Sequence, residues 1–394
     1  MKLHKVILNI ILEALNKIIK QNHYSDKVLE HYFRTNRKLG KTDRKIIAES
    51  VYNIVRYYYL YEYIAQSDDL NKILSSYFYF NHILFDNLEE LLPNIDVKQI
   101  DISKIPDRIK YSYNEELWLE GLNQLGEEKW FKEAEALNQQ AKLVIRVNTL
   151  ITTKKELQQL LYDSGIESVE HPEVEEALII QNKTFLSPNE YFLKGYYEFQ
   201  DLSSQRVAHF IPKDILEQAN RIIDACAGAG GKSLHLSALK QNKGQIIALD
   251  IESKKLNELK KRAKRNRSSN IIIKPIESSK TIKRLKNSAD ILLLDVPCTG
   301  TGVIKRNPDT KLKFSKDNMN NIIELQRDIL LQYSKMLKEG GYLLYATCSI
   351  LPLENEYQIQ WFIKNKTQFE LIKYQTIYPS EGFDGFFMAL LKKK

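Results

Sequence analysis

The chain reads as an α/β protein in which a doubly wound, mostly parallel sheet follows a small α+β segment and a helical N-terminal part. Three observations predict this. Gly is nearly absent from residues 1–135, where apolar residues recur every three or four positions. From about Lys142 short β-branched runs take over. From Arg221 onward, apolar runs that end in a polar residue alternate with helix-like segments, the pattern of a parallel sheet. A chain of 394 residues has room for two or three domains. We place them at 1–135, 140–205 and 206–394.

The N-terminal part opens on an amphipathic helix, with Val6, Ile7, Ile10, Ile11, Ala14, Leu15, Ile18 and Ile19 on one face and Asn9, Glu13, Asn16 and Lys17 on the other. Thr42 and Asp43 are placed to cap a second helix through Ile46, Ile47, Val51, Ile54 and Val55. It continues into Arg56-Tyr57-Tyr58-Tyr59-Leu60-Tyr61. These tyrosines could stack on bases, but packing into a helical core is the simpler expectation.

The second part begins with Leu143-Val144-Ile145-Arg146-Val147, a strand ending at Asn148-Thr149. A helix over 154–164 and short strands as far as Glu198-Phe199-Gln200 follow. In the third part the strands are Ile222-Ile223-Asp224, Ile246-Ile247-Ala248-Leu249-Asp250, Ile291-Leu292-Leu293-Leu294-Asp295 and Tyr342-Leu343-Leu344-Tyr345-Ala346-Thr347. Helices are expected around 232–239, 253–264 and 322–337. All four strands end in a polar residue at the carboxyl edge, where open α/β sheets bind ligands.

Composition bounds the class. Hydrophobic residues at 43% and charged residues at 27% describe an ordinary globular chain. The net charge of +8 suits a polyanionic partner. Three cysteines, Cys226, Cys298 and Cys348, form no CxxC pair, so neither a disulfide framework nor a structural zinc site is expected, and no metal. No uncharged apolar stretch reaches the ~18–20 residues that span a bilayer, and the N-terminus is not a secretory signal. A cytoplasmic protein without a membrane partner is the expectation.

Asp224-Ala225-Cys226-Ala227-Gly228-Ala229-Gly230-Gly231-Lys232-Ser233 joins a strand to a helix. Small residues let a ligand approach the backbone, and the helix start offers free N–H groups. A phosphate loop would need Gly where Cys226 stands, and a dinucleotide fingerprint would need Gly where Ser233 stands. Asp250, at the next strand end, suits a ribose hydroxyl pair. The loop thus points to a nucleoside-bearing cofactor, NAD and S-adenosylmethionine both remaining open.

Cys298 lies in Asp295-Val296-Pro297-Cys298-Thr299-Gly300, after the third strand, and Cys348 in Ala346-Thr347-Cys348-Ser349, after the fourth. A single cysteine is usually a small buried hydrophobe. Two at the ligand-binding edge, beside a cofactor loop, point to chemistry. These stretches, with Arg146-Val147-Asn148-Thr149, Gln200-Asp201, Ser203-Ser204-Gln205, Lys305-Arg306-Asn307-Pro308-Asp309 and Asp384-Gly385-Phe386-Phe387, resemble the RsmB/Sun family of RNA (cytosine-5) methyltransferases. They occur in the family's order from about Lys142 to the C-terminus.

The resemblance implies a Rossmann-like class I methyltransferase domain, an RNA-recognition-like subdomain over 142–200 and, through Leu39-Gly40-Lys41-Thr42-Asp43-Arg44, a NusB-like helical RNA-binding domain. It implies methyl transfer from S-adenosylmethionine to carbon 5 of cytosine. By resemblance Cys348 is the nucleophile, Cys298 assists release of the product, and Asp295 hydrogen-bonds the cytosine edge. Lys232 contacts the cofactor or the target pocket. Residues Cys226, Ala227, Gly228, Ala229, Gly230, Gly231 and Lys232, with Asp250, Asp295 and Glu277, hold the cofactor. Ala229 stands where the family carries Pro, and Glu277 where it carries an Asp that meets the adenine.

The implied substrate is ribosomal RNA, with transfer RNA the nearest alternative, met by a monomer. Lys305, Arg306, Lys311 and Lys313 are placed to meet the target strand's phosphates. Eight basic residues over 253–267 fit either phosphate binding or a solvated helix face. Rival readings are a non-catalytic RNA-binding or ribosome-assembly factor, which would have lost a cysteine or the loop, and an NAD-dependent oxidoreductase, which needs no paired cysteines. A DNA cytosine methyltransferase would take its nucleophile from the Pro-Cys loop alone.

Overall fold

The computed structural model describes residues 2–94, 101–181 and 189–394. It divides into two units, one formed by residues 1–140 with 304–318, the other by 141–303 with 319–394. The helical unit therefore extends past residue 135 and takes in a segment that lies, in sequence, inside the expected third domain.

In the helical unit, helix Lys5–Leu15 buries Ile7, Ile10, Ile11, Ala14 and Leu15, most of the face that the apolar spacing marks, whereas Val6 turns out to solvent. Helix Lys41–Arg56 starts one residue before the expected cap: Gly40 is its N-cap, and Asp43 reaches back to accept the Gly40 N–H at 3.0 Å. Tyr58 and Tyr61 are buried in the same core. Tyr61 meets Tyr77 edge to face at 5.5 Å, so the tyrosine run is packing rather than an RNA platform.

The second unit holds two sheets. Strands β1 (Val144–Val147), β2 (Ser168–Glu170), β3 (Ala177–Ile180) and β4 (Tyr197–Phe199) form an antiparallel sheet in the order β2-β3-β1-β4. The larger sheet contains β5 (Arg221–Asp224), β6 (Gln245–Asp250), β7 (Ile271–Pro275), β8 (Ala289–Asp295), β9 (Leu337–Thr347), β10 (Phe369–Ile377) and β11 (Phe386–Lys393). Its order is β10-β11-β9-β8-β5-β6-β7.

Strands β5 to β9 pair in parallel, while β11 runs antiparallel between β9 and β10. This is a doubly wound, Rossmann-like arrangement. The central strands bury Ile223, Leu249, Leu292, Leu294, Leu343 and Tyr345, which is why they read as unbroken apolar runs. The outer strands β7 and β10 are largely exposed.

Candidate active site

Four neighbouring strands, β9, β8, β5 and β6, deliver Thr347, Asp295, Asp224 and Asp250 to one sheet edge. The loop after β5 is tightly held there. Ala227 N donates to Leu249 O at 2.9 Å, and Gly230 N to Ala227 O at 2.8 Å. Asp250 accepts from Gly228 N and from Glu252 N, both at 2.8 Å. It thus shapes the loop, and a carboxylate has lone pairs to spare for a ligand.

Gly230 has φ +85° and lies so close to Leu259 that an added Cβ would stand 2.0 Å from Cδ1. At Gly228 an added Cβ would meet nothing within 4 Å. A tight turn with open space beside it, leading into helix Gly231–Leu239, fits a nucleoside-bearing ligand. Burial, and then the carboxylates of Asp224, Asp295 and Asp250, push the Cys226 thiol well up. Ala229 offers its carbonyl to Arg262 at 2.7 Å, and Gly231 to Arg146 at 2.8 Å. Glu277 is exposed, two residues beyond β7.

Cys298 and Cys348 are 50 residues apart in sequence, yet their Sγ atoms stand 3.2 Å apart. Lys232 Nζ donates to Asp295 Oδ2 at 2.5 Å. Burial pulls the Lys232 ammonium down, but Asp295 outweighs it, Cys348 adds to the same effect, and the net shift is upward. Lys232 is therefore held charged. The Cys298 thiol is pushed well up, first by its contact with Cys348 and then by burial. The fold thus joins Lys232, Asp295, Cys298 and Cys348 at the sheet edge that carries the loop.

A network behind the cysteines fixes them, and nothing in the sequence reading singled it out. Glu354 accepts from Thr299 N at 2.8 Å, from Thr299 Oγ1 at 2.5 Å and from Ser349 Oγ at 2.5 Å. Thr301 Oγ1 and Ser349 Oγ are 2.9 Å apart. Asn355 Nδ2 donates to Ser349 O at 2.9 Å, and Gly302 N to Cys348 O at 2.9 Å. Both cysteine loops thus hang on one buried carboxyl. Its signal was a Glu-Asn pair six residues after a strand-end cysteine. Elsewhere, Asn148 Nδ2 donates to Gly195 O and Asn266 O, and Asp201 caps helix Leu202–His209. These two serve the framework.

The basic residues require correction. Lys311 is fully buried, its Nζ donating to Arg56 O at 2.9 Å, Tyr111 O at 2.7 Å and Asn138 Oδ1. Lys305 is also buried, and Lys313 pairs with Asp309 at 2.9 Å. Lys311 belongs to the helical unit's interior and presents no charge to a phosphate. In helix Ser253–Arg265, Arg262 and Arg265 turn inward to the buried Glu198.

Comparison with known proteins gives two family matches. Residues 215–392 match the model described as 16S rRNA methyltransferase RsmB/F. Residues 116–186 match the RsmF/B-like ferredoxin-like domain. The ribosomal RNA small subunit methyltransferase B of Vibrio cholerae is 31% identical over 274 residues, 68% of this chain and 62% of that one. The protein of that name from Proteus mirabilis is 30% identical over 311 residues, 78% of this chain and 69% of that one. The chain thus spans under two thirds of the Vibrio relative's length. The structure of NSun6 from Pyrococcus horikoshii with SFG superposes with a TM-score of 0.64 at 23% identity, covering 72% of this chain and 99% of that one, a likeness of fold.

Proposed function

Because the chain belongs to the RsmB/F family of rRNA methyltransferases, we propose that it methylates carbon 5 of a cytosine in ribosomal RNA, using S-adenosylmethionine, through a covalent Cys348 adduct. The observation that carries this reading is the Cys298–Cys348 contact of 3.2 Å, beside the Lys232–Asp295 pair. S-adenosylmethionine supplies an electrophilic methyl group.

Carbon 5 of cytosine is a weak nucleophile. Addition of the Cys348 thiolate at carbon 6 makes carbon 5 electron-rich, which is covalent catalysis. Asp295, held by Lys232, faces the charge that builds at nitrogen 3. Once carbon 5 carries the methyl group, its proton must leave and the Cys348–carbon 6 bond must break. In that elimination the carbon 5 proton passes to water, the pair it leaves closes the carbon 5–carbon 6 double bond, and the carbon 6–sulfur pair returns to Cys348; we assign Cys298, adjacent to Cys348, to assist it. The loop over 226–232, with Asp250 and Glu277, holds the cofactor.

The test uses labelled S-adenosylmethionine and small-subunit RNA lacking the modification. The unmodified sequence should yield labelled 5-methylcytosine. Cys348→Ala should yield none, and Cys298→Ala should leave a protein–RNA adduct on a denaturing gel. Equal transfer by Cys348→Ala and the unmutated protein would overturn the mechanism.

A further inference from the structure

Outside the cysteine site, three side chains from separate elements converge. Glu176 immediately precedes β3, His209 ends helix Leu202–His209, and His235 lies within helix Gly231–Leu239. One ligand atom from each lies within 4.8 Å of the others. Both imidazoles turn Nε2 towards Oε2 of Glu176, His209 at 2.8 Å and His235 at 3.8 Å. The two rings stand edge to face with centroids 5.1 Å apart.

A His209–Glu176 hydrogen bond alone would be an unremarked buried pair. It leaves His235 unexplained. That ring is 1% exposed, and neither nitrogen has a hydrogen-bond partner among the described residues. An unpaired buried polar group is destabilising, and buried polar groups in folded proteins are nearly always satisfied.

We propose that Glu176, His209 and His235 bind one zinc ion. Two imidazoles and a carboxylate are a zinc donor set, with bonds of ~2.0–2.2 Å. Around a tetrahedral ion, such bonds set donor atoms about 3.3 Å apart and place two imidazole centroids about 5 Å apart. The observed 2.8 and 3.8 Å straddle the first figure, and the 5.1 Å centroid separation meets the second. Nitrogen donors also select zinc over magnesium or calcium. The ion would occupy the unpaired Nε2 of His235, while the 33% exposed side chain of His209 leaves a side open for entry and for a water as fourth ligand.

The guanidinium of Arg146 lies near enough to His235 to act on it electrostatically. Arg146 itself is already engaged by Gln200 and by Gly231 O. The ion would join the four-stranded sheet, through Glu176, to the helix that begins at Gly231 and carries Lys232. Ligands 33 and 26 residues apart in sequence form no motif, so such a site is one that only folding assembles.

The test measures zinc binding and needs no methyl transfer, so it stands apart from the proposed reaction. The full chain is stripped with a chelator and titrated with zinc chloride by calorimetry, and its melting is followed with and without the ion. One equivalent should bind and raise the melting temperature. Cys298→Ser/Cys348→Ser should keep that equivalent. Glu176→Gln and the partly exposed His209→Ala should weaken it at least about tenfold and abolish the melting shift, while each still melts cooperatively without zinc. No saturable binding would overturn the proposal. So would affinity unchanged in both ligand variants, or an equivalent lost with the cysteines.

Discussion

Asp224 ends β5 with its carboxyl buried and one oxygen accepting the Ser233 hydroxyl at 2.6 Å. Burial raises its pKa to about 7 from 3.8; the Ser233 bond and Lys232 pull the other way, while Asp295 pushes it further up. Ionisation is therefore harder in the folded chain than in the unfolded one. The gap from 3.8 to about 7 spans roughly 3 pH units, and at ~1.4 kcal/mol per unit this is about 4 kcal/mol at most. Because the folded value is the higher one, the contribution is complete below about pH 4. It declines as pH rises and is lost above about pH 7. Asp224→Asn keeps the shape and an acceptor for Ser233 but cannot ionise. Urea unfolding of both chains at pH 5, 6, 7 and 8 reads the difference directly. The variant should gain about 2–3 kcal/mol on the parent between pH 5 and pH 8, most of it before pH 7. A stability difference that stays constant across that range would refute the buried, late-titrating carboxyl.

Two substitutions probe the frame of the site. Gly230→Ala places a Cβ against Leu259 at a φ of +85°, which should cost roughly 1–2 kcal/mol and weaken S-adenosylmethionine binding. Melting and cofactor calorimetry check it, and unchanged affinity would show that the turn tolerates the shift. Glu354→Ala strips Thr299 N and Ser349 Oγ of their shared acceptor. Adduct formation should slow while cofactor affinity holds, and Glu354→Gln should recover part of the rate, as befits a positioning residue.

Both cysteines were legible because their strands are. A strand covered on both faces must be apolar throughout, so its end is visible as the first polar residue, and β8 and β9 stop at Asp295 and Thr347. Strands β7 and β10, exposed along much of their length, carry no such run. Charge was less informative than hydrophobicity. A lysine in a basic string looks the same whether it meets solvent or, like Lys311, three oxygen acceptors from Arg56, Tyr111 and Asn138. Only the fold supplies those acceptors. Glu354 was hidden for the same reason. A polar turn after a strand normally faces water, and here Pro352–Glu354 forms a 3-10 turn that buries the carboxyl behind both cysteine loops.

The two cysteines touch, yet their surroundings differ, and the proposed chemistry needs that difference. A pair of identical thiols would both compete for one ring carbon. Cys298 hangs between Pro297, whose carbonyl takes Gln326 at 2.9 Å, and Thr299, whose amide is tied to Glu354. Contact with Cys348, then burial, push the Cys298 thiol well up, and the Glu354 carboxyl adds to this. Cys348 instead lies within the field of Lys232, whose ammonium responds to it as well as to Asp295. A cation beside one sulfur and a carboxyl behind the other give the two cysteines different electrostatic surroundings, as the proposed mechanism requires. On this argument Lys232 is more than a cofactor contact. Lys232→Met should slow adduct formation by Cys348 even with S-adenosylmethionine saturating, and an undiminished rate would assign the lysine to binding alone.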